Sequence, residues 1–220
     1  MKFDQHPSSK LLELYKMRPY QGQSPEKAKI IFLSSDANYS PEISNHPFFE
    51  TILEYHMDGI AFWKQHGCHH PFLLPFYPFN KNTGGVPFHR TFSKLALGPE
   101  HASHISFLEL LDVPTIGNRS KNNDRFFELL SPEHLKYIDN LICGGGHKMF
   151  FVSRGVLRDM TMIKKNHSLF SWYAGTAGTE QRYEKLISGN KVKEIYHFSS
   201  TQVYGQLKQI RADIDGWLKK

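Results

Sequence analysis

Two short polar segments, each directly after an apolar run, supply a carboxylate and an imidazole. Ile30-Ile31-Phe32-Leu33 leads into Ser34-Ser35-Asp36-Ala37-Asn38-Tyr39, and Val192-Lys193-Glu194-Ile195-Tyr196 leads into His197-Phe198-Ser199-Ser200. A buried strand ending in a small polar loop is how parallel α/β folds present catalytic groups, because ligands sit beyond the carboxyl ends of the strands. If the two strands are neighbours in one sheet, Asp36 and His197 face a single cleft and suit charge stabilisation and proton transfer. A second carboxylate, Glu109, follows Ile105-Ser106-Phe107-Leu108 and precedes Leu110-Leu111. An unpaired charge in an apolar strand is costly, so Glu109 either faces the cleft or belongs to a structural ion pair. In Thr83-Gly84-Gly85-Val86-Pro87-Phe88 the paired glycines permit close backbone approach to a ligand, with Phe88 either stacking on it or anchoring the core.

His66-Gly67-Cys68-His69-His70 places imidazoles and a thiol within five residues, with His46 and His56 upstream, and these donors suit zinc. The spacing does not: no second Cys/His pair completes the usual two-part ligand set. No metal or other cofactor is therefore expected, and local hydrogen bonding in an aromatic loop bounded by Pro71 and Pro75 accounts for these side chains. A metal-dependent hydrolase remains a distant alternative.

Positioning such groups requires regular elements. Residues 29–34, 104–110, 147–153 and 192–198 are short apolar runs, each followed by a turn or cap signal and a helix-like pattern. This rhythm predicts an α/β fold, a three-layer sandwich with a four-stranded, largely parallel sheet. Helices are expected over 46–66, 88–97, 156–165, 179–187 and 201–218. Another opens at Ser131-Pro132-Glu133, with Ser131 as N-cap and Pro132 in the first turn.

The 220 residues, 40% hydrophobic and 14% aromatic, carry no linker-like stretch and read as one domain spanning 1–220. No apolar stretch reaches the roughly 20 residues of a membrane span, and no signal-like apolar run opens the chain. Cys68 and Cys143 are too few for a disulfide framework. An intracellular protein without a membrane partner, cytoplasmic or nucleoid-associated, is expected. The net charge of +6 favours an anionic partner, with Lys208 and Arg211 on the final helix as contact candidates.

Taken in order, the loop after the first strand, the Thr-Gly-Gly-Val-Pro-Phe turn, the Phe-Leu-Glu-Leu-Leu-Asp-Val-Pro-Thr stretch at 107–115 and the His-Phe-Ser loop resemble the uracil-DNA glycosylase superfamily. Ser34-Ser35-Asp36-Ala37 is similar to that superfamily's Gly-x-Asp/Asn-Pro loop, and the turn at 83–88 resembles its single-strand-selective branch. The resemblance spans about residues 29–205. It departs at Ser34 (a glycine in the family), Ala37 and Phe198 (prolines) and Glu109, where the family often places an asparagine that reads the base edge. Residues 40–82 look like an insertion.

The resemblance implies a DNA-base glycosylase acting in DNA repair, hydrolysing the N-glycosidic bond of an extruded damaged or deaminated base. Asp36 and His197 are its catalytic pair: Asp36 activates water or stabilises the sugar cation, and His197 donates to the leaving base. Phe88 stacks on the base, Glu109 reads its edge and Asn38 orients the water or a phosphate. Ser199 and Ser200 contact DNA through hydroxyl and backbone N–H groups at the start of the last helix, or simply cap that helix. An ionised Glu109 favours bases offering N–H donors, whereas a protonated one also accommodates an acceptor such as uracil's O4. A monomer with DNA as partner is expected. The alternative is a catalytically silent nucleic-acid- or nucleotide-binding relative.

Overall fold

The longest apolar runs become the central strands. Ile30–Ser34 (β3), Ile105–Glu109 (β4) and Met149–Ser153 (β6) are buried at every position, as strands covered on both faces must be. The computed structural model describes residues 2–119, 123–175 and 182–219. It shows a mixed α/β protein built on a six-stranded sheet of order β2-β4-β3-β6-β8-β7, in which β2 is Tyr20–Gly22, β7 is Glu184–Ile187 and β8 is Asn190–Ile195. The central four, β4-β3-β6-β8, are parallel. Both edges are antiparallel, β2 on β4 and β7 on β8, so the expected four strands become six. The expected helix over 179–187 is corrected where it can be seen: residues 184–187 form the β7 edge, and 179–181 lie outside the described residues. A separate two-stranded sheet joins Asp4–Gln5 (β1) to Thr115–Ile116 (β5).

Alternation along the strands divides the core. Ile31, Leu33, Leu108, Phe150 and Val152 pack with α6 (Pro132–Cys143) and α7 (Arg154–Asn166). Ile30, Phe32, Phe107 and Phe151 face Trp63, Phe92 and the Ile210, Ile214 and Trp217 stripe of α8 (Leu207–Leu218). Phe32 stacks between Phe107 and Phe151 at centroid distances of 5.8 and 5.1 Å. Ser131 caps α6 by accepting from His134 N, as its residue type predicts.

A third cluster joins Leu11 and Tyr15 of α1 (Ser9–Met17) to Tyr39, Ile43, Phe48, Ile52, Phe72 and Tyr77. Much of residues 40–82 is therefore aromatic core rather than a surface excursion. The single helix expected over 46–66 is two, α2 (Phe49–Met57) and α3 (Gly59–His66). Asp58 makes the break, because its extended backbone ends one helix while its carboxylate accepts from Ile60 N and Ala61 N at 3.0 and 2.9 Å to start the next. The remaining helices are α4 (Val86–Phe92), continued by a 3-10 turn over Ser93–Leu95, and α5 (Asn123–Glu128). A 3-10 stretch over Thr201–Gln206 precedes α8. No helix among the described residues is long and apolar enough to cross a membrane.

Candidate functional site

The strands that deliver Asp36 and His197 are not neighbours, because β6 lies between them. Their loops still meet, since β6 runs straight into α7. Ser153 ends the strand and caps the helix, its hydroxyl accepting from Val156 N at 3.4 Å, so no loop rises between. Phe198, 1% exposed, plugs the core between Phe32, Phe88 and Phe92, with centroids 5.8, 5.1 and 5.4 Å away. That anchor hangs His197 over the strand ends.

The Asp36 loop is zipped to the segment after β4. Leu110 N donates to Ser34 O, Leu111 N to Ser35 O, Thr115 N to Ala37 O and Tyr39 N to Thr115 O, all within 3.1 Å. The turn at 83–88 joins through Gly85 N, which donates to Asn38 O at 2.9 Å. A Cβ on Gly84 or Gly85 would crowd that same carbonyl oxygen at 3.1 or 3.2 Å, and Gly84, with φ +59°, is where the backbone itself favours glycine.

These tethers enclose a cavity of about 100 Å³ lined by Asp36, Asn38, Phe88, Glu109, His197 and Ser199, together with Gln21, Tyr39, His70, Phe72 and His89. An apolar cavity of about 150 Å³ holds one benzene, so this smaller, polar-lined space has room for no more than a single planar ring. Six of the seven residues singled out from sequence line it. Ser200 lies in an adjoining depression, and its hydroxyl caps the 3-10 stretch by accepting from Gln202 N at 3.3 Å. The backbone route to a phosphate is closed, because Ser199 N donates to His197 Nδ1 at 3.2 Å and Ser200 N to His197 O at 2.8 Å. Only the serine hydroxyls remain for that role. Arg211 is likewise occupied, by Asp215 and by the carbonyls of Leu95 and Ala96.

Burial raises the pKa of both carboxyls. Burial pushes Glu109 up to about 8, and the charge of Asp36 pushes the same way. One Glu109 oxygen accepts from Gln21 Nε2 at 3.5 Å; Oε2 is buried without a partner. At neutral pH Glu109 is therefore protonated and offers one donor and one acceptor, the hydrogen-bonding capacity of an amide. Burial also raises the pKa of Asp36, but the Thr115 hydroxyl at 2.6 Å, the Arg119 charge and the Asn38 amide pull it back. Asn38 gives its N–H groups to Thr115 Oγ1 at 3.0 Å and Gly117 O at 3.1 Å, leaving its carbonyl oxygen as its free group. The Ser199 N–H on His197 Nδ1 assigns the ring proton of the neutral imidazole to Nε2. His197 stands exposed at the mouth with protein packed behind it, and that desolvation lowers its pKa.

Arg119 braces the loop from behind. Its guanidinium grips Asp159 of α7 with two 2.6 Å hydrogen bonds, donates to Ser35 Oγ at 2.9 Å and lies 3.5 Å over the Phe126 ring. The histidines around His70 are packing groups: His70 stacks on His89 at 3.6 Å, His69 pairs with His89 at 3.1 Å, and His66 pairs with Glu54 at 2.8 Å. Burial pushes His69 down to about 3 and lowers His70 and His89 as well. No group of three or more His, Cys, Asp or Glu among the described residues is arranged to hold a metal.

Gln21, His70 and Thr115 are the contributors that sequence reasoning missed. Gln21 sits on a three-residue edge strand too short to show periodicity, and it links His70 Nε2 at 3.1 Å to Tyr15 at 2.8 Å and to Glu109. Thr115 lay within the motif at 107–115, where only Glu109 drew attention. Comparison with protein-family models, curated proteins and solved structures finds no match to this chain.

Proposed function

We propose that this protein is a DNA-base glycosylase of the uracil-DNA glycosylase type, acting as an intracellular monomer in DNA repair on a base extruded from the strand. The observation that carries the reading is the convergence of the Asp36 carboxyl, held by the Thr115 hydroxyl, a neutral His197 with Nε2–H, an aromatic face at Phe88 and a protonated Glu109 around one small cavity. Hydrolysis adds water to C1′ of the sugar as the C1′–N bond breaks and its electron pair leaves with the base. Asp36 stabilises the positive sugar and orients the water, while His197 Nε2–H donates to the negative charge on the departing base. Phe88 holds the ring, and Glu109 pairs with an edge that offers one acceptor and one N–H donor. Uracil, a single-ring lactam base, carries that edge.

The test is base release from oligonucleotides containing uracil, hypoxanthine, xanthine or mismatched thymine. Release of a lactam base that is lost in Asp36→Asn supports the reading, and no release from any member overturns it. A silent binding relative is favoured by one observation: both Asn38 N–H groups are engaged, leaving that side of the cavity without a free donor. Binding of the same oligonucleotides without release would select it.

A further inference from the structure

A second cavity of about 230 Å³ adjoins the first and shares Ser199 with it. Its wall carries Lys81, Arg90 and Lys94, beside Ser200 and Tyr204, and no acidic side chain. None of the three cations makes an ion pair among the described residues. Lys94 Nζ is steered by Tyr204, donating to its hydroxyl at 3.1 Å and lying 4.4 Å from the ring centroid. Among the described residues, Arg90 NH1 reaches the Lys81 carbonyl and the Asn82 side chain, at 3.4 and 3.5 Å. By contrast, Arg119, Arg154, Lys193 and Arg211 are each paired with a carboxylate within 3.0 Å. Three uncompensated charges around one depression form a site for anions.

We infer that this depression is a phosphodiester-binding subsite that holds the nucleic-acid strand beside the nucleotide whose base enters the first cavity. Arg90 and Lys94 stand four residues apart on the helix and turn that also present Phe88, so one rigid segment carries the stacking ring and the backbone cations. An aromatic platform beside a basic groove is the recurrent arrangement for single strands. The inference rests on the nucleic-acid part of the proposed function and is independent of whether the bond is cleaved.

The test is anisotropy titration of a labelled single-stranded oligonucleotide with the full chain over a salt series. Each phosphate contact on a single strand contributes about 0.7 to the slope of log K against log salt. Arg90→Gln with Lys94→Gln should lower the slope by about 1.4 and raise KM for base release without changing kcat. Lys136→Gln with Lys165→Gln, exposed lysines of α6 and α7, should leave the slope at the wild-type value. A wild-type slope in the Arg90/Lys94 variant, or an equal drop in the Lys136/Lys165 variant, overturns the subsite and leaves the glycosylase reading standing. A specific drop in a protein that releases no base upholds the subsite and overturns cleavage. No binding at low salt overturns both.

Discussion

Thr115 of β5 donates its hydroxyl hydrogen to Asp36 Oδ2 at 2.6 Å, and backbone hydrogen bonds join the two segments. That contact favours the ionised carboxylate and opposes the burial that pushes its pKa up. Removing it in Thr115→Val raises the Asp36 pKa, so the acidic limb of the kcat/KM profile should move to higher pH. Thr115→Ser, which keeps the hydroxyl, should restore the limb. Identical limbs in the three proteins would mean that Asp36 is not the titrating group.

Asp36→Asn and His197→Ala act on charge that develops only in the transition state. Each should lower the base-release rate by roughly 100-fold or more, the scale of a lost oxyanion-type donor, while leaving the melting temperature nearly unchanged. Single-turnover kinetics beside thermal melts read both quantities. A variant that unfolds marks its residue as structural.

Glu109 carries a pH signature in stability. Its folded pKa of about 8 lies above the ordinary 4.5, so between those values the unfolded chain loses a proton that the folded chain keeps. Stability contributed by this site is full below the ordinary value and falls as pH rises, by at most about 1.4 kcal/mol per unit, levelling near the folded pKa. Glu109→Gln removes that dependence, so its melting temperature should gain on wild type progressively from pH 5 to pH 8. A constant difference across the range would show an ordinary carboxylate.

The same substitution separates base reading from packing. Wild type should release lactam bases at neutral pH and lose that activity as Glu109 ionises above about pH 8. Glu109→Gln should keep the activity through that range, since an amide offers the same donor and acceptor. A decline in the variant that matches wild type would locate the titration elsewhere.

Asp159→Ala strands the Arg119 guanidinium, only 21% exposed, without its bidentate partner. The pair is only part-buried and Arg119 keeps Asn123 and Ser35 as acceptors, so the loss is about 1–3 kcal/mol, which a denaturant midpoint measures directly. Because Arg119 also bonds Ser35, beside Asp36, base release should fall further than the stability loss alone accounts for. Unchanged kcat in the folded variant would limit Arg119 to a structural role.

Much of the architecture was legible because the central strands are continuous apolar runs whose polar ends must lie at the sheet's edge. The same pattern placed Asp36, Glu109 and His197 at or beyond strand ends. The antiparallel edges were not legible: β2 has three residues, and β7, Glu-Lys-Leu-Ile, shows no alternation of polar and apolar positions. Nor was the α2–α3 break, where Asp58 as a cap overrides a continuous helical period.

The sequence by itself determined which groups were available and that they would stand at the carboxyl ends of strands, since alternation and strand burial are local properties of the chain. The tertiary structure alone decided that loops from non-adjacent strands share a cavity, because that depends on β6 running into α7 without a loop and on Phe198 filling the core beneath. It also decided the charges. Glu109 is pushed up to about 8, Arg211 is engaged, and Lys81, Arg90 and Lys94 pair with no carboxylate among the described residues, because acidity and ion pairing are set by what packs within a few ångströms.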